Sequence, residues 1–148
     1  HGPKSCVFCQ HDESIKHLFF ECKFARAVWA VVQVASNLYP PRTARNMFGN
    51  WLRGIDKQFF AHILVGAAAL CWAMWLTRND VIFNNKSVSS PMQVIHACTR
   101  LLRTWSILQK PEDRDLFMMA STRLERTARE VFYPHGWRCD LRIGSTAP

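Results

Sequence analysis

Acids are scarce in this chain of 148 residues: 11 Asp and Glu stand against 19 Lys and Arg. The acids gather at helix caps and polar faces, so no pair of carboxylates is set for general acid–base work or two-metal phosphoryl transfer. Glycine is scarce too, at six residues. Gly49, Gly54 and Gly66 fall inside helical patterns with no strand before them, which excludes a phosphate-cradling loop. No alternating apolar–polar run argues for a sheet, and no internal repeat or low-complexity segment occurs. His62, His96 and His135 show no carboxylate partner in the sequence. Cys71 and Cys98 fall on apolar faces as inert core thiols, leaving Cys139 as the one candidate reactive thiol. An enzymatic activity of its own is not expected.

What the chain does carry is a metal-ligand pattern between residues 6 and 22. Cys6 and Cys9 form a C-x2-C turn, and His17 and Cys22 follow on a short helix. Four N/S donors at this spacing can converge tetrahedrally on Zn²⁺. Thiolate softness disfavours Mg²⁺ and Ca²⁺, and so short a loop leaves little room for an Fe–S cluster. His11 competes with His17 as a ligand, but its place almost directly after Cys9 would cramp the loop, so His17 is preferred. The alternative, ordinary thiols and a surface histidine, is disfavoured by the specificity of the C-x2-C spacing. Four protein ligands leave no open position, so one structural zinc is expected.

The same residues resemble a family. Cys6, Cys9, Glu13-Ser14, His17-Leu18-Phe19, Cys22, Phe24-Ala25 and Val28-Trp29 resemble, in order and spacing, the zinc-binding domain behind the reverse transcriptase in plant LINE-type (non-LTR) retrotransposon polyproteins. Trp72, Trp75, Arg78-Asn79 and Ile82-Phe83 resemble the W-x2-W-x2-R-N-x2-I-F run of those polyproteins, and His135-Gly136-Trp137-Arg138 continues the likeness. The resemblance implies an accessory, C-terminal module that helps the element's machinery hold nucleic acid, or a host protein that kept the module. Reverse-transcriptase and endonuclease motifs would lie upstream. The chain does not begin with Met and is read as a fragment or a processed product. A polar zinc motif stands where a secretory leader would be, so a reducing compartment, nuclear or cytoplasmic, is expected.

Charge is unevenly distributed. Residues 1–30 carry four bases against three acids, a balance of +1, and three thiolates with one Zn²⁺ bring that to neutral. Residues 31–90 carry six bases against two acids, a balance of +4, and residues 91–148 nine against six, a balance of +3. The most basic stretch is 42–57, where Arg42, Arg45, Arg53 and Lys57 lie among Phe48 and Trp51 and only Asp56 opposes them. Cations interleaved with aromatics suit phosphate contact plus base stacking. The bland reading is a solvated helical face with Phe48, Trp51 and Leu52 turned inward.

Periodicity predicts helices throughout. Ser14 caps the short helix ending near Cys22, with Ile15, Leu18 and Phe19 as its apolar face. Phe24, Ala25, Val28, Trp29, Val31, Val32 and Ala35 mark a helix over about 24–36, closed by Asn37 and Pro40-Pro41. A long helix runs from Asp56 to about Asn84, with no formal charge from Phe59 to Leu76. It is long enough to be weighed as a membrane span, but it reads better as the buried centre of a bundle. Ser90-Pro91-Met92-Gln93 starts a helix over about 91–109 whose buried stripe runs from Val94 to Leu108. Pro111 starts another that ends at Phe132, with Glu125 and Arg129 as an i,i+4 pair.

The chain is thus expected to be all-α, a helical bundle around a long central helix with an N-terminal Cys3His zinc knuckle. Residues 1–37 hold the knuckle and first helices, 38–133 a bundle packed with them as one domain, and 134–148 a tail with Trp137 as an anchor. Metal loss should loosen the first third while the helices from Asp56 onward persist. The expected function is a non-enzymatic, zinc-stabilised domain of a reverse-transcriptase type polyprotein that binds RNA or single-stranded DNA through Arg42, Arg45, Arg53 and Lys57. The alternative is a protein-interaction or dimerisation module. No membrane partner is expected.

Overall fold

The structure is a computed structural model and describes residues 4–88 and 90–134. His135, Trp137, Cys139 and the expected tail arm lie outside the described residues.

Among the described residues the chain is helical without strands, apart from one isolated antiparallel bridge, Ser5 with Asp12, that closes the N-terminal loop. A π-helical turn, His17–Glu21, leads into α1, Lys23–Ser36. This helix buries Phe24, Ala25, Val28, Trp29, Val31 and Ala35 along one side and ends where Asn37 turns left-handed, at φ 58°. The expected stop is the observed one, because Asn tolerates that conformation at little cost.

A short helix, α2 (Ala44–Phe48), follows; Thr43 caps it by accepting from the Asn46 amide at 3.0 Å. Gly49 ends it, since a Cβ there would lie 2.7 Å from the Arg45 carbonyl oxygen. Met47 and Leu52 are buried beneath this segment. Phe48 is not turned inward as the bland reading had it: it is 70% exposed, since Met47 takes the inward position.

Asp56 caps the next element as expected, accepting from the Gln58 amide, but the first turn is 3-10 (Lys57–Phe59) before α3, Phe60–Asn84, begins. Lys57–Asn84 is long and apolar enough to cross a membrane by length and composition. It is buried along one side only. Ala67, Ala69, Leu70, Ala73, Met74 and Arg78 face the interior, whereas Trp72, Trp75, Leu76 and Phe83 face out. The apolar run therefore makes two surfaces, one of which the bundle leaves uncovered.

α4, Met92–Ser106, follows the Ser90-Pro91 start, with the Met92 amide donating to Ser90 Oγ. Its buried stripe is Val94, Ile95, Cys98, Thr99 and Leu102; Leu108, expected in that stripe, lies past the helix end and is 81% exposed. Pro111 breaks the chain and opens α5, Pro111–Phe132, with Glu112 and Asp113 in its first turn, where acids suit the helix dipole. α4 packs against both α3 and α5, and α1 lies against α5. The expected Glu125–Arg129 pair is replaced by one between helices. Glu125 accepts from Arg103 Nη1 at 2.5 Å and from Thr99 Oγ1 at 2.6 Å, because it faces α4 and not its own helix surface. His62 does have a carboxylate partner: its Nε2 lies 3.0 Å from Asp113 Oδ1, which only the fold brings near.

One core runs through the molecule, from Cys6 and Phe8 through α1, α3 and α4 to Phe132. Beside it, between α1, α3 and α5, lies an apolar cavity of about 410 Å³ lined by Trp29, Leu38, Gly66, Leu70, Phe117 and Leu124, among others.

Candidate metal centre

The C-x2-C turn is folded by its own backbone. The Gln10 amide donates to the Cys6 carbonyl at 2.9 Å, the Cys6 amide to the His11 carbonyl at 2.7 Å, and Gln10 takes a left-handed φ of 69°. This hairpin-like loop points Cys6 Sγ and Cys9 Sγ to one side. Ser14 starts the following turn as expected, accepting from the His17 amide at 3.0 Å.

The turn between His17 and Cys22 is π rather than α, closed by the Cys22 amide donating to the His17 carbonyl at 2.7 Å. The reason lies in the spacing. Residues five apart on an α-helix point about 140° away from each other. The wider π turn brings them back toward one side, and such turns recur at functional sites. The same widening redistributes the apolar residues: Leu18 and Phe20 are buried, while Ile15, expected inward, is 73% exposed.

Cys6, Cys9, His17 and Cys22 thus come together, each offering one ligand atom, all within 4.8 Å of one another. Cys6 Sγ lies 3.8 Å from Cys22 Sγ, and Cys9 Sγ 3.0 Å from His17 Nε2. With Zn–S bonds of about 2.3 Å, two thiolates on a tetrahedron stand about 3.8 Å apart, so the buried sulfur pair fits zinc. Its protonation points the same way. A hydrogen bond from the Cys22 thiol holds Cys6 down to about 5, while that shared bond and burial push Cys22 up. The two sulfurs thus share one proton, and ionising both so close together calls for a cation between them. The group is positioned to bind one zinc ion. His11, the competing candidate, is exposed and outside the cluster, its backbone carbonyl engaged by Cys6.

The remaining thiols are of another kind. Burial pushes Cys71 up to about 11 and Cys98 up to about 12, as suits core thiols.

Ring stacking and a hydrogen bond join the knuckle to α1. Phe8 stacks on Phe24 with ring centroids 4.2 Å apart, and Trp29 donates its indole N–H to the Phe19 carbonyl at 2.8 Å. Glu13, just past the C-x2-C loop, reaches α3 by taking the Arg78 guanidinium: Arg78 Nε lies 2.9 Å from both carboxylate oxygens, and Nη2 also donates to Oε1. Both side chains are nearly buried, at 8% and 13% exposed for Arg78 and Glu13. Arg78 also lies 5.0 Å from the Trp75 ring and donates to Asn79 Oδ1. Sequence reasoning singles out Glu13 and Arg78 without pairing them. The signal for Arg78 is an arginine that ends a run of twenty uncharged residues, Gln58 to Thr77, on an apolar helix.

The other residues singled out from sequence do not join this centre. Arg42, Arg45, Arg53 and Lys57 are all exposed, on α2 and the turns around it.

No curated protein and no solved structure matches the chain. Residues 1–29 match the family model for zinc-binding in reverse transcriptase, and the matched segment holds all four members of the Cys3His cluster.

Proposed function

We propose that the chain is a non-enzymatic accessory domain of a retrotransposon-type reverse-transcriptase polyprotein, or of a host protein derived from one, and that it binds RNA or single-stranded DNA. The zinc organises the N-terminal loop against α1 and takes no part in a reaction, since four protein ligands leave it no open position. The observation that carries the nucleic-acid reading is the surface over residues 39–57. Arg42, Arg45, Arg53 and Lys57 are exposed there, and no ion pair among the described residues engages them. The only acid of the stretch, Asp56, is occupied in capping the Gln58 amide. Tyr39 and Phe48, 77% and 70% exposed, supply aromatic faces beside the cations. Cations that track phosphates and rings that stack on bases are the two parts of a sequence-tolerant single-strand site.

Binding of the zinc-loaded chain to labelled RNA, single-stranded DNA and duplex DNA, from about 50 to 200 mM salt, tests this. Affinity for single strands should fall steeply with salt. Replacing Arg42, Arg45 and Arg53 together by Ala should flatten the logarithmic slope by about 2, at about 0.7 for each phosphate no longer neutralised. An unchanged slope in that variant would refute the site. No binding at low salt would refute the function. A second reading, a protein-interaction module, is favoured by the uncovered side of α3.

A further inference from the structure

The outward residues of α3 recur at a regular spacing. Ala61, Ala68, Trp72, Trp75, Leu76 and Phe83 are exposed, and Val65 and Asn79 between them are partly so. Steps of three and four residues place all of these on one stripe of the helix, the pattern of a helix-pairing seam. The stripe is apolar over most of the helix length, Trp72 remaining 49% exposed and Phe83 69%. Its other property is a gradient of size. Small side chains, Ala61 and Ala68, occupy the first half, and large ones, Trp72, Trp75, Leu76 and Phe83, the second.

We infer that this stripe is the interface of a symmetric dimer, in which α3 pairs antiparallel with α3 of a second copy about Trp72. A copy turned end for end sets Ala61 against Phe83, Val65 against Asn79, Ala68 against Leu76, and Trp72 against its own counterpart. Leu76 and Phe83 each then meet an exposed alanine, which is the interdigitation that helix packing requires, while Trp75 flanks the seam. A contact of this kind is isologous and closes at two copies. The seam buries no unpaired charge: Arg78 is held by Glu13 and Asp80 by Lys86, and Asn79 already accepts from Arg78.

The area is adequate as well. Trp72, Trp75, Leu76 and Phe83 present on the order of 500 Å² of apolar surface, aromatic side chains each supplying a large share. With the flanking residues of a helix about 37 Å long, that approaches the roughly 800 Å² per partner of a stable interface. A bilayer is the poorer occupant, because the opposite side of α3 is packed on α4 and carries the buried Arg78–Glu13 pair. The inference deepens the protein-interaction reading and is independent of the basic surface on 39–57.

Sedimentation equilibrium of the full zinc-loaded chain over about 1–100 μM decides it. A mass rising to twice the 17.1 kDa of one chain is expected; a single-chain mass throughout would overturn the dimer. Trp72→Glu should weaken self-association about thirty-fold or more while zinc content and helicity stay, since a central Trp is the usual hot spot. Undiminished association in that variant would remove the seam, and if the variant does not fold, the mass of the unaltered chain still decides. Orientation is read from Ala61→Glu and Phe83→Lys. Each alone should weaken the dimer, and the double variant A61E/F83K should recover it, because the new acid of one copy faces the new base of the other. Further weakening in the double variant would overturn antiparallel pairing. A chain that stays monomeric yet floats with phosphatidylcholine–phosphatidylserine vesicles would show the stripe to be a membrane contact instead. Loss of nucleic-acid binding alone, with the dimer intact, would leave this inference standing.

Discussion

Arg78 and Glu13 show how one pair of side chains joins a metal loop to a helix 65 residues away. A bidentate guanidinium–carboxylate contact is among the stronger pairings available, and burial removes the screening of water. The same burial makes a lone survivor costly. Arg78→Ala should therefore lower unfolding free energy by about 3 kcal/mol, leaving the Glu13 carboxylate stranded, as measured by urea denaturation. A loss below about 1 kcal/mol would mean water reaches the pair. Gly66 is the opposite case. It sits in mid-helix beside the apolar cavity, and a Cβ there meets nothing within 4 Å. Gly66→Ala should raise stability by about 1 kcal/mol, read as an upward shift in Tm, through helix propensity alone.

At the scale of elements, helix starts and stops are legible in the sequence because each rests on local chemistry. Ser14, Asn37, Asp56 and Pro111 act on neighbours within a few residues, and periodicity reports which side of a helix is apolar. Cys6, Cys9, His17 and Cys22 are legible for the same reason, being close in sequence. What local pattern does not report is how many sides a helix buries, and α3 is where that matters. Its all-apolar run reads as a buried centre, yet Trp72, Trp75 and Phe83 face out. Pairings across elements are equally hidden: Glu125 turns to Arg103 on α4, and His62 to Asp113 on α5.

The Glu125 contact gives the α4–α5 packing a pH dependence. The Arg103 guanidinium, with help from the Thr99 hydroxyl, holds Glu125 down to about 2 against an ordinary 4.5. A depressed carboxylate contributes stability that is complete above its unfolded value and lost as pH falls toward its folded one. Stability should thus decline between about pH 4.5 and 2, and Glu125→Gln should flatten that part of the profile while lowering stability at neutral pH. A variant with the same acid limb as the unaltered chain would assign that limb to other carboxylates.

For the whole molecule, the continuity of the core bears on what metal loss does. The sequence suggests a knuckle that could loosen by itself while the helices from Asp56 onward persist. Phe24, Val28, Trp29 and Val31 of α1 are fully buried in the same core as α4 and α5, and Phe8 of the knuckle stacks on Phe24. Releasing the knuckle therefore exposes the bundle interior. Chelation should lower Tm in a single cooperative transition, followed together by far-ultraviolet circular dichroism and Trp fluorescence. Two separated transitions would instead establish an autonomous bundle.

The π turn between His17 and Cys22 has a consequence for which changes the knuckle tolerates. The four intervening residues supply packing, and substitutions among them that keep Leu18 and Phe20 apolar leave both ligands in place. Adding or deleting a single residue rotates Cys22 by roughly a quarter turn and carries its sulfur off the metal. In this segment the quantity under constraint is chain length, and an insertion of even one alanine should be more damaging than most replacements.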